Sequence, residues 1–302
     1  MKSATVKAYA KINITLNVTG VENGYHNLDT VVVTVDKFDK VTVTKRKDDK
    51  ILLNLVGKYA NYNFIQENFN AYKAALKFKE KFNTCGVTVT VERNIPEGSG
   101  MGGSSADIAG TLMAMQKLFN VTESVKDIAD ALGSDSGYLL EGGFARLTGR
   151  GDVIEKIDSD WMPYFVVIYS KTGVNTKECF SSFDTGDYKG VVADNNAVVD
   201  CILNHNLQGM QNKTGNALTS PAVTINSEVK ENLNELLALS PAVADMTGSG
   251  ATVFAMYDSY EMASWALSKL TRKYGSRVEL LYTRNPNYKP FIEGFLERFS
   301  LT

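Results

Sequence analysis

The stretch IPEGSGMGGSSADIAG, residues 95–110, joins an alternating apolar run to a helical pattern through a loop of glycine and serine. Before it, residues 86–92 alternate β-branched with polar side chains, as a strand does. After it, Ile108, Leu112, Met115 and Leu118 recur at helical spacing. The loop therefore opens a helix. There the unpaired backbone N–H groups and the positive end of the helix dipole face outward, and residues without Cβ let an anion approach the backbone closely. Ser104 and Ser105 add hydroxyls. Read alone, the same residues also describe a helix start capped by serine.

Two familiar nucleotide loops are excluded. Gly98, Gly100 and Gly103 satisfy the spacing G-x-G-x-x-G of a dinucleotide fold, which also wants an acidic residue about twenty positions on, at the end of a second strand. Glu123 lies near that spacing, but VTESVKDIAD around it reads as a helix start with Thr122 or Ser124 as cap. A P-loop needs Gly-Lys followed by Ser or Thr, and here Ser104 follows Gly103.

The 302 residues suit one large or two ordinary domains, and 44% hydrophobic residues suffice for a real core. With 32 basic and 34 acidic residues the net charge is -2, so no basic footprint argues for nucleic acid and no polybasic patch for a membrane surface. A small-molecule ligand is the expected partner. No apolar run approaches a membrane span, and the start MKSATVKAYAKINITL alternates like a strand, which implies a cytoplasmic protein. Cys85, Cys179 and Cys201 form neither a disulfide framework nor a zinc site.

The order of elements implies two layered α+β units. Val6 to Thr19, Thr30 to Lys45 and Ile51 to Val56 read as strands, with Asn23-Gly24 a turn. Ile65, Phe69, Tyr72 and Leu76 share one helical face. A strand from Tyr164 to Tyr169 opens the second half, which closes on the strand Arg277 to Thr283. The boundary falls near residues 150 to 162. The tail RNPNYKPFIEGFLERFSLT reads as a turn leading to a short amphipathic helix.

Three further segments join the loop. AYAKINITLNVTGVENGYHNLDT places Lys11 and Asn13 on an early strand and Tyr25-His26 just past a turn. LGSDSGYLLEGG puts Asp135 after a helix. MTGSGA, residues 246–251, is a second small-residue loop between a helical segment and a strand. Each alone reads as ordinary structure: a solvent-facing lysine, a turn aspartate, an αβ turn.

Together and in this order, these segments resemble the GHMP kinase family over nearly the whole chain. Residues 96–107 align to its loop without a gap, and GYHNLDT is similar to the branch whose acceptor alcohol carries a cytidine diphosphate. The resemblance implies an α+β, two-domain fold: a ribosomal protein S5 domain 2-like N-terminal domain over 1–158 and a ferredoxin-like C-terminal domain over 159–302. The active site would lie in the cleft between them. It also implies ATP and Mg²⁺, and is compatible with a homodimer. Pro96, Gly98, Ser99, Gly100, Met101, Gly102, Gly103, Ser104 and Ser105 would cradle the ATP phosphates, with Ser105 the candidate for the metal and Asp107 a further one. Asp135 would be the general base and Lys11 its partner. Asn13, Tyr25, His26, Phe180, Gly248 and Ser249 would bind the acceptor, with Tyr25 stacking on the cytosine, His26 reading its edge and Phe180 closing the sandwich. His205 is expected to be structural, near a helix C-terminus. Mevalonate, homoserine or a sugar are the alternative acceptors, and a catalytically degenerate nucleotide-binding regulator is the alternative class.

The chain also departs from the family pattern. The family's Gly-Leu-Gly-Gly-Gly-Ser-Ser-Asp stands here as Gly100-Met101-Gly102-Gly103-Ser104-Ser105-Ala106-Asp107, shifting the serine pair by one. Ser136, Gly137 and Tyr138 follow Asp135 in place of Val-Pro and an aromatic, which predicts a looser backbone beside the base. Asn216-Ala217-Leu218 replaces Asn-Asp-Leu, which predicts one lost polar contact in the second half.

Overall fold

The computed structural model describes residues 1–60 and 64–286. The amphipathic helix expected in the tail lies outside the described residues. In the first half, β1 (Ser3–Asn13), β2 (Asn17–Glu22), β3 (Tyr25–Lys45) and β4 (Ile51–Val56) precede α1 (Asn70–Phe82) and β5 (Val87–Glu92). Then come α2 (Gly103–Phe119), α3 (Lys126–Leu132), α4 (Ser136–Leu139), β6 (Phe144–Gly149) and β7 (Val153–Lys156). These strands form one seven-stranded sheet running β4-β5-β3-β6-β7, with β1 and β2 also pairing to β3. Thus β3 is the spine of the sheet. The predicted turn at Asn23-Gly24 is present, with positive φ at both residues. The strand after it starts at Tyr25, five residues earlier than its β-branched run suggested, because Tyr25 to Asp29 pair with β2.

Apolar periodicity explains how α2 seats on this sheet. Ile108, Leu112 and Met115 are fully buried and Leu118 nearly so; each contributes roughly 1.5–3 kcal/mol relative to exposure. The helix expected from Ile65 begins later, at Asn70. Its buried face is Ala71, Ala74, Ala75 and Phe78, while Ile65 is exposed. Small residues win that face because α1 packs closely against α2 and the sheet edge.

The second half contains β8 (Tyr164–Ile168), α5 (Thr176–Thr185), α6 (Asn195–Leu203), α7 (Thr219–Ile225) and α8 (Glu228–Leu237). It continues with β9 (Val243–Met246), β10 (Val253–Tyr257), α9 (Tyr260–Tyr274) and β11 (Val278–Tyr282). Its antiparallel sheet runs β11-β8-β10-β9, a fourth-first-third-second order that matches the ferredoxin-like expectation. Val166, Ile168, Val253 and Ala255 meet Val229, Leu236, Ala263 and Ala266 of α8 and α9 in its core. The sheets end at Lys156 and begin at Tyr164 on either side of the expected boundary. His205 follows α6, stacks on Trp161 and lies 3.0 Å from Asp160 Oδ1.

The edge strand β9 carries a titratable group. Burial pushes the Asp245 carboxyl up to about 6, against hydrogen bonds from Thr219 Oγ1 and the Met246 N–H that pull it down. A folded-state value above the unfolded one means that this proton-linked stability is complete below about pH 4 and is lost as pH rises through about 6. Asp245→Asn should therefore be more stable than the parent at pH 8 by an amount of order 1 kcal/mol, since the residue is only partly buried. Urea melts at pH 8 and pH 5 check this. A gap that does not narrow at pH 5 contradicts it.

Candidate active site

The loop from β5 to α2 is fixed at both ends and along its length. At its start, Asp39 Oδ1 on β3 accepts from the N–H groups of Asn94 (2.5 Å) and Ile95 (2.8 Å). Gly98, Gly100 and Gly102 all have positive φ, which glycine adopts without strain. The loop's carbonyls are taken up by neighbouring backbone. Gly98 O accepts from Ala251 (2.8 Å) and Val174 (3.1 Å), Ser99 O from Thr252 (3.2 Å), and Met101 O from Lys11 (3.0 Å). No side chain caps α2, and no acidic residue lies in its first turn. The first N–H groups of a 17-residue helix therefore face the cleft, a ready anion site.

The two serines are separated by their neighbours. Ser104 Oγ accepts from Asn70 Nδ2 at 2.6 Å, facing α1. Ser105 Oγ faces the turn at Gly133, 3.1 Å from where a Cβ there would sit. Ser105 is thus the hydroxyl on the Asp135 side. Asp107, one turn further on, is 4% exposed, and its Oδ1 has no hydrogen-bond partner. Burial and the neighbouring Asp39 carboxylate push its carboxyl well above the ordinary range, with Arg93 opposing.

An irregularity in the pairing of β1 with β3 aims Lys11. The register passes from Tyr9↔Phe38 to Lys11↔Thr34, so β3 carries extra residues there and the ladder kinks. The Lys11 stem then runs beside Gly102, and its Nζ reaches Asp135 Oδ2 at 3.4 Å. Lys11 Nζ also donates to Asn13 Oδ1, and Asn13 Nδ2 to Thr30 Oγ1 at 2.8 Å. At 3.4 Å and an effective dielectric near 20, the ion pair gains about 5 kcal/mol before desolvation.

Asp135 sits at the start of the short helix α4. Gly137 does not loosen this turn as the sequence suggested. Its φ is not in the left-handed region, and a Cβ there would lie 2.0 Å from Asp130 Oδ1. The glycine makes room for the carboxylate that pairs with Lys126, and the buried Tyr138 anchors the turn by donating to Gly143 O at 2.7 Å.

The MTGSGA loop of the second half closes the far wall. Gly248 and Ser249 line the cleft, and Ser249 Oγ lies 2.8 Å from Thr176 Oγ1. The loop is held by Asn216, whose Nδ2 donates to the carbonyls of Met246 (2.7 Å) and Gly248 (2.8 Å). Ala217 is itself buried at 4% exposure, so its small side chain fits a packed site. Asn216→Ala should strand two buried carbonyls, costing about 1–3 kcal/mol. KM for ATP should rise because the loop under the phosphate site shifts. Thermal melts and ATP kinetics check both, and unchanged values would show that the carbonyls find other donors.

The cleft has a volume of about 490 Å³. It brings Lys11, Asn13, Asp135, Ser104, Ser105, Gly248, Ser249 and Phe180 to one wall-to-wall space. Tyr25 and His26 stand outside that lining. His26 stacks on Phe180 at 4.4 Å between centroids, and its Nε2 lies 2.7 Å from Asp184 Oδ1. Tyr25 is half exposed, under the Arg150 guanidinium, whose central carbon is 3.9 Å from the ring centroid. Among the described residues no ring contact joins Tyr25 to Phe180. Sequence reading missed Thr30, Asn70 and Thr176, which also line the cleft. For Thr176 a signal existed: it stands four residues before Phe180, on the same helix face.

Residues 70–153 match the family model described as the GHMP kinases N terminal domain, and relatives about one-third identical span nearly the entire chain. The chain belongs to the GHMP kinase family and is an ATP-dependent kinase acting on an alcohol group. The relatives carry a more particular name. A 4-diphosphocytidyl-2-C-methyl-D-erythritol kinase of Clostridium perfringens (strain 13 / Type A) is 34% identical over 291 residues, covering 93% of this chain and 99% of that one. Its counterpart in Clostridium tetani is 34% identical over 278 residues, covering 89% and 96%. A crystal structure of 4-(cytidine 5'-diphospho)-2C-methyl-D-erythritol kinase superposes with TM-score 0.75 at 27% identity, over 92% of this chain and 98% of that one. Homoserine kinase from Cytophaga hutchinsonii, at TM-score 0.69 and 16% identity over 95% and 96%, shares the fold.

Proposed function

We propose that this kinase transfers the γ-phosphoryl group of ATP to the 2-hydroxyl of 4-diphosphocytidyl-2-C-methyl-D-erythritol, in non-mevalonate isoprenoid precursor synthesis in the cytoplasm. The observation that carries the chemistry is the Lys11–Asp135 pair standing across one cleft from the uncapped start of α2. The acceptor is favoured by the names of the relatives, which the GYH triplet at residues 24–26 accompanies.

Asp135 accepts the proton of the acceptor hydroxyl as its oxygen attacks the γ-phosphorus. The new O–P bond forms as the bond to the β-phosphate oxygen breaks, and ADP leaves. Lys11 offsets the carboxylate before transfer and the developing alkoxide during it. The α2 N–H groups and Ser104 hold the phosphate oxygens where charge accumulates. Asn13 holds the Lys11 ammonium, and its own backbone N–H is fixed by Thr247 Oγ1 at 2.9 Å, which ties the catalytic pair to the second sheet's loop.

Magnesium fits on limited terms. Among the described residues no three His, Cys, Asp or Glu side chains gather to hold a metal. Ser105 is the hydroxyl on the correct side, and phosphate oxygens and water would complete the shell, as is usual for this ion. When bound it neutralises phosphate charge.

ADP release from Mg-ATP, compared across 4-diphosphocytidyl-2-C-methyl-D-erythritol, mevalonate, homoserine and a blank, tests the reading. Turnover is expected with the first alone. Turnover with another acceptor, and none with the first, would replace it.

A further inference from the structure

Arg150 sits on a tight turn between Gly149 and Gly151, both at positive φ, with Gly151 N–H donating to Thr148 O (3.1 Å) and Arg150 N–H to Asp152 Oδ1 (2.9 Å). One side of this turn faces Tyr25, whose ring the guanidinium covers at 3.9 Å. The other side faces the base: Gly151 lines the cleft, and a Cβ added there would lie 3.7 Å from Asp135 Oδ1. An acceptor with its base on Tyr25 and its hydroxyl at Asp135 must therefore pass this turn with whatever links the two. In the proposed substrate that link is a diphosphate.

The charges around the acceptor path single out the same residue. Lys11 is engaged by Asp135 and Asn13, and His26 by Asp184. Arg150 is exposed, and among the described residues it makes no ion pair. A guanidinium presents forked donors that match phosphate oxygens, and a cation–π contact at an exposed site is weak enough to be exchanged for such a pair.

We propose that Arg150 binds the diphosphate of the acceptor, leaving the face of Tyr25 free for the base as it does so. This rests on the acceptor reading given above. The residue acts through charge on the linker, so ligands with and without phosphate should separate its role from a structural one.

Calorimetric titrations of cytidine, CMP and CDP, with Mg-ADP present to fill the donor site, test it in the parent, Arg150→Ala and Arg150→Lys. The parent should bind CDP at least tenfold more tightly than cytidine. In Arg150→Ala that preference should collapse to about threefold or less while cytidine affinity holds or improves, with the lysine variant in between. A parent that prefers CDP beside an alanine variant with the same preference would overturn the role of Arg150 and leave the acceptor reading standing. Equal weakening of cytidine and CDP in the alanine variant would show a structural role and also overturn it. A parent that binds neither cytidine nor CDP would overturn the acceptor reading and this proposal with it.

Discussion

Asp135→Ala is expected to lower kcat by roughly two to four orders of magnitude and to leave the Kd for Mg-ATP within about twofold. The asymmetry follows from geometry. Asp135 stands on α4, its side chain about one-quarter exposed to the cleft, and its close charged partner is Lys11. The phosphate-facing N–H groups belong to α2 and are held by a separate set of bonds, from Asp39 at the start of the loop to Ala251 and Thr252 beneath it. Removing the carboxylate therefore takes away the proton acceptor without disturbing the donor site. Asp135→Asn separates proton transfer from positioning, because it retains an oxygen toward Lys11 but cannot take the proton. The two variants should be comparably slow. ADP release at saturating acceptor and equilibrium nucleotide binding measure the two halves. Near-native kcat in either variant would remove Asp135 from the role of base.

The second large effect falls on stability and nucleotide binding together. A Cβ at Gly100 would lie 1.9 Å from Thr247 O and 2.9 Å from Gly250 N, backbone atoms that cannot swing aside. The position also has φ +74°. Gly100→Ala therefore incurs about 1 kcal/mol for the left-handed backbone and a further 1–3 kcal/mol for overpacking. For a chain of this size that corresponds to a fall in Tm of roughly 3–6 °C. The glycine loop and MTGSGA loop must part to admit the methyl group, so KM for ATP should rise by at least tenfold in what remains folded. Thermal unfolding with and without ATP tests both halves. An unshifted Tm would mean that the two loops are less tightly apposed than their contacts indicate.

These two residues show what a sequence discloses and what it withholds. The loop announced itself because β5, the glycines and the α2 periodicity are contiguous, and local geometry makes glycine there legible. Why Gly100 in particular must be glycine was not legible. Its obstacle is a carbonyl at position 247, and no local pattern points across that separation. Gly137 misled for the same reason: read as flexibility, it is space for the Asp130 carboxylate. Lys11 and Asp135 were placed through family resemblance, since a lysine on a strand carries no signal of the register shift that turns it inward. The aromatic residues around the acceptor path were foreseen as types. Their pairing was not, because His26 takes the place beside Phe180 and Arg150 covers Tyr25.

The length of β3 has a bearing on how such a protein can diversify. One unbroken strand, Tyr25–Lys45, begins at the aromatic pair on the acceptor side and carries Asp39, which fixes the start of the phosphate loop, near its other end. Four neighbours read their register from it: β1, β2, β5 and β6. Deleting a single residue between Thr30 and Val33, where β3 pairs regularly with β6, would turn the side chains on one side of the cut to the opposite face of the sheet. Changes in the span between donor and acceptor within the strand are thus confined to the irregularity opposite Tyr9 and Lys11, where β3 already carries extra residues. New acceptors must be accommodated by substitution at its tips and in the loops that border it.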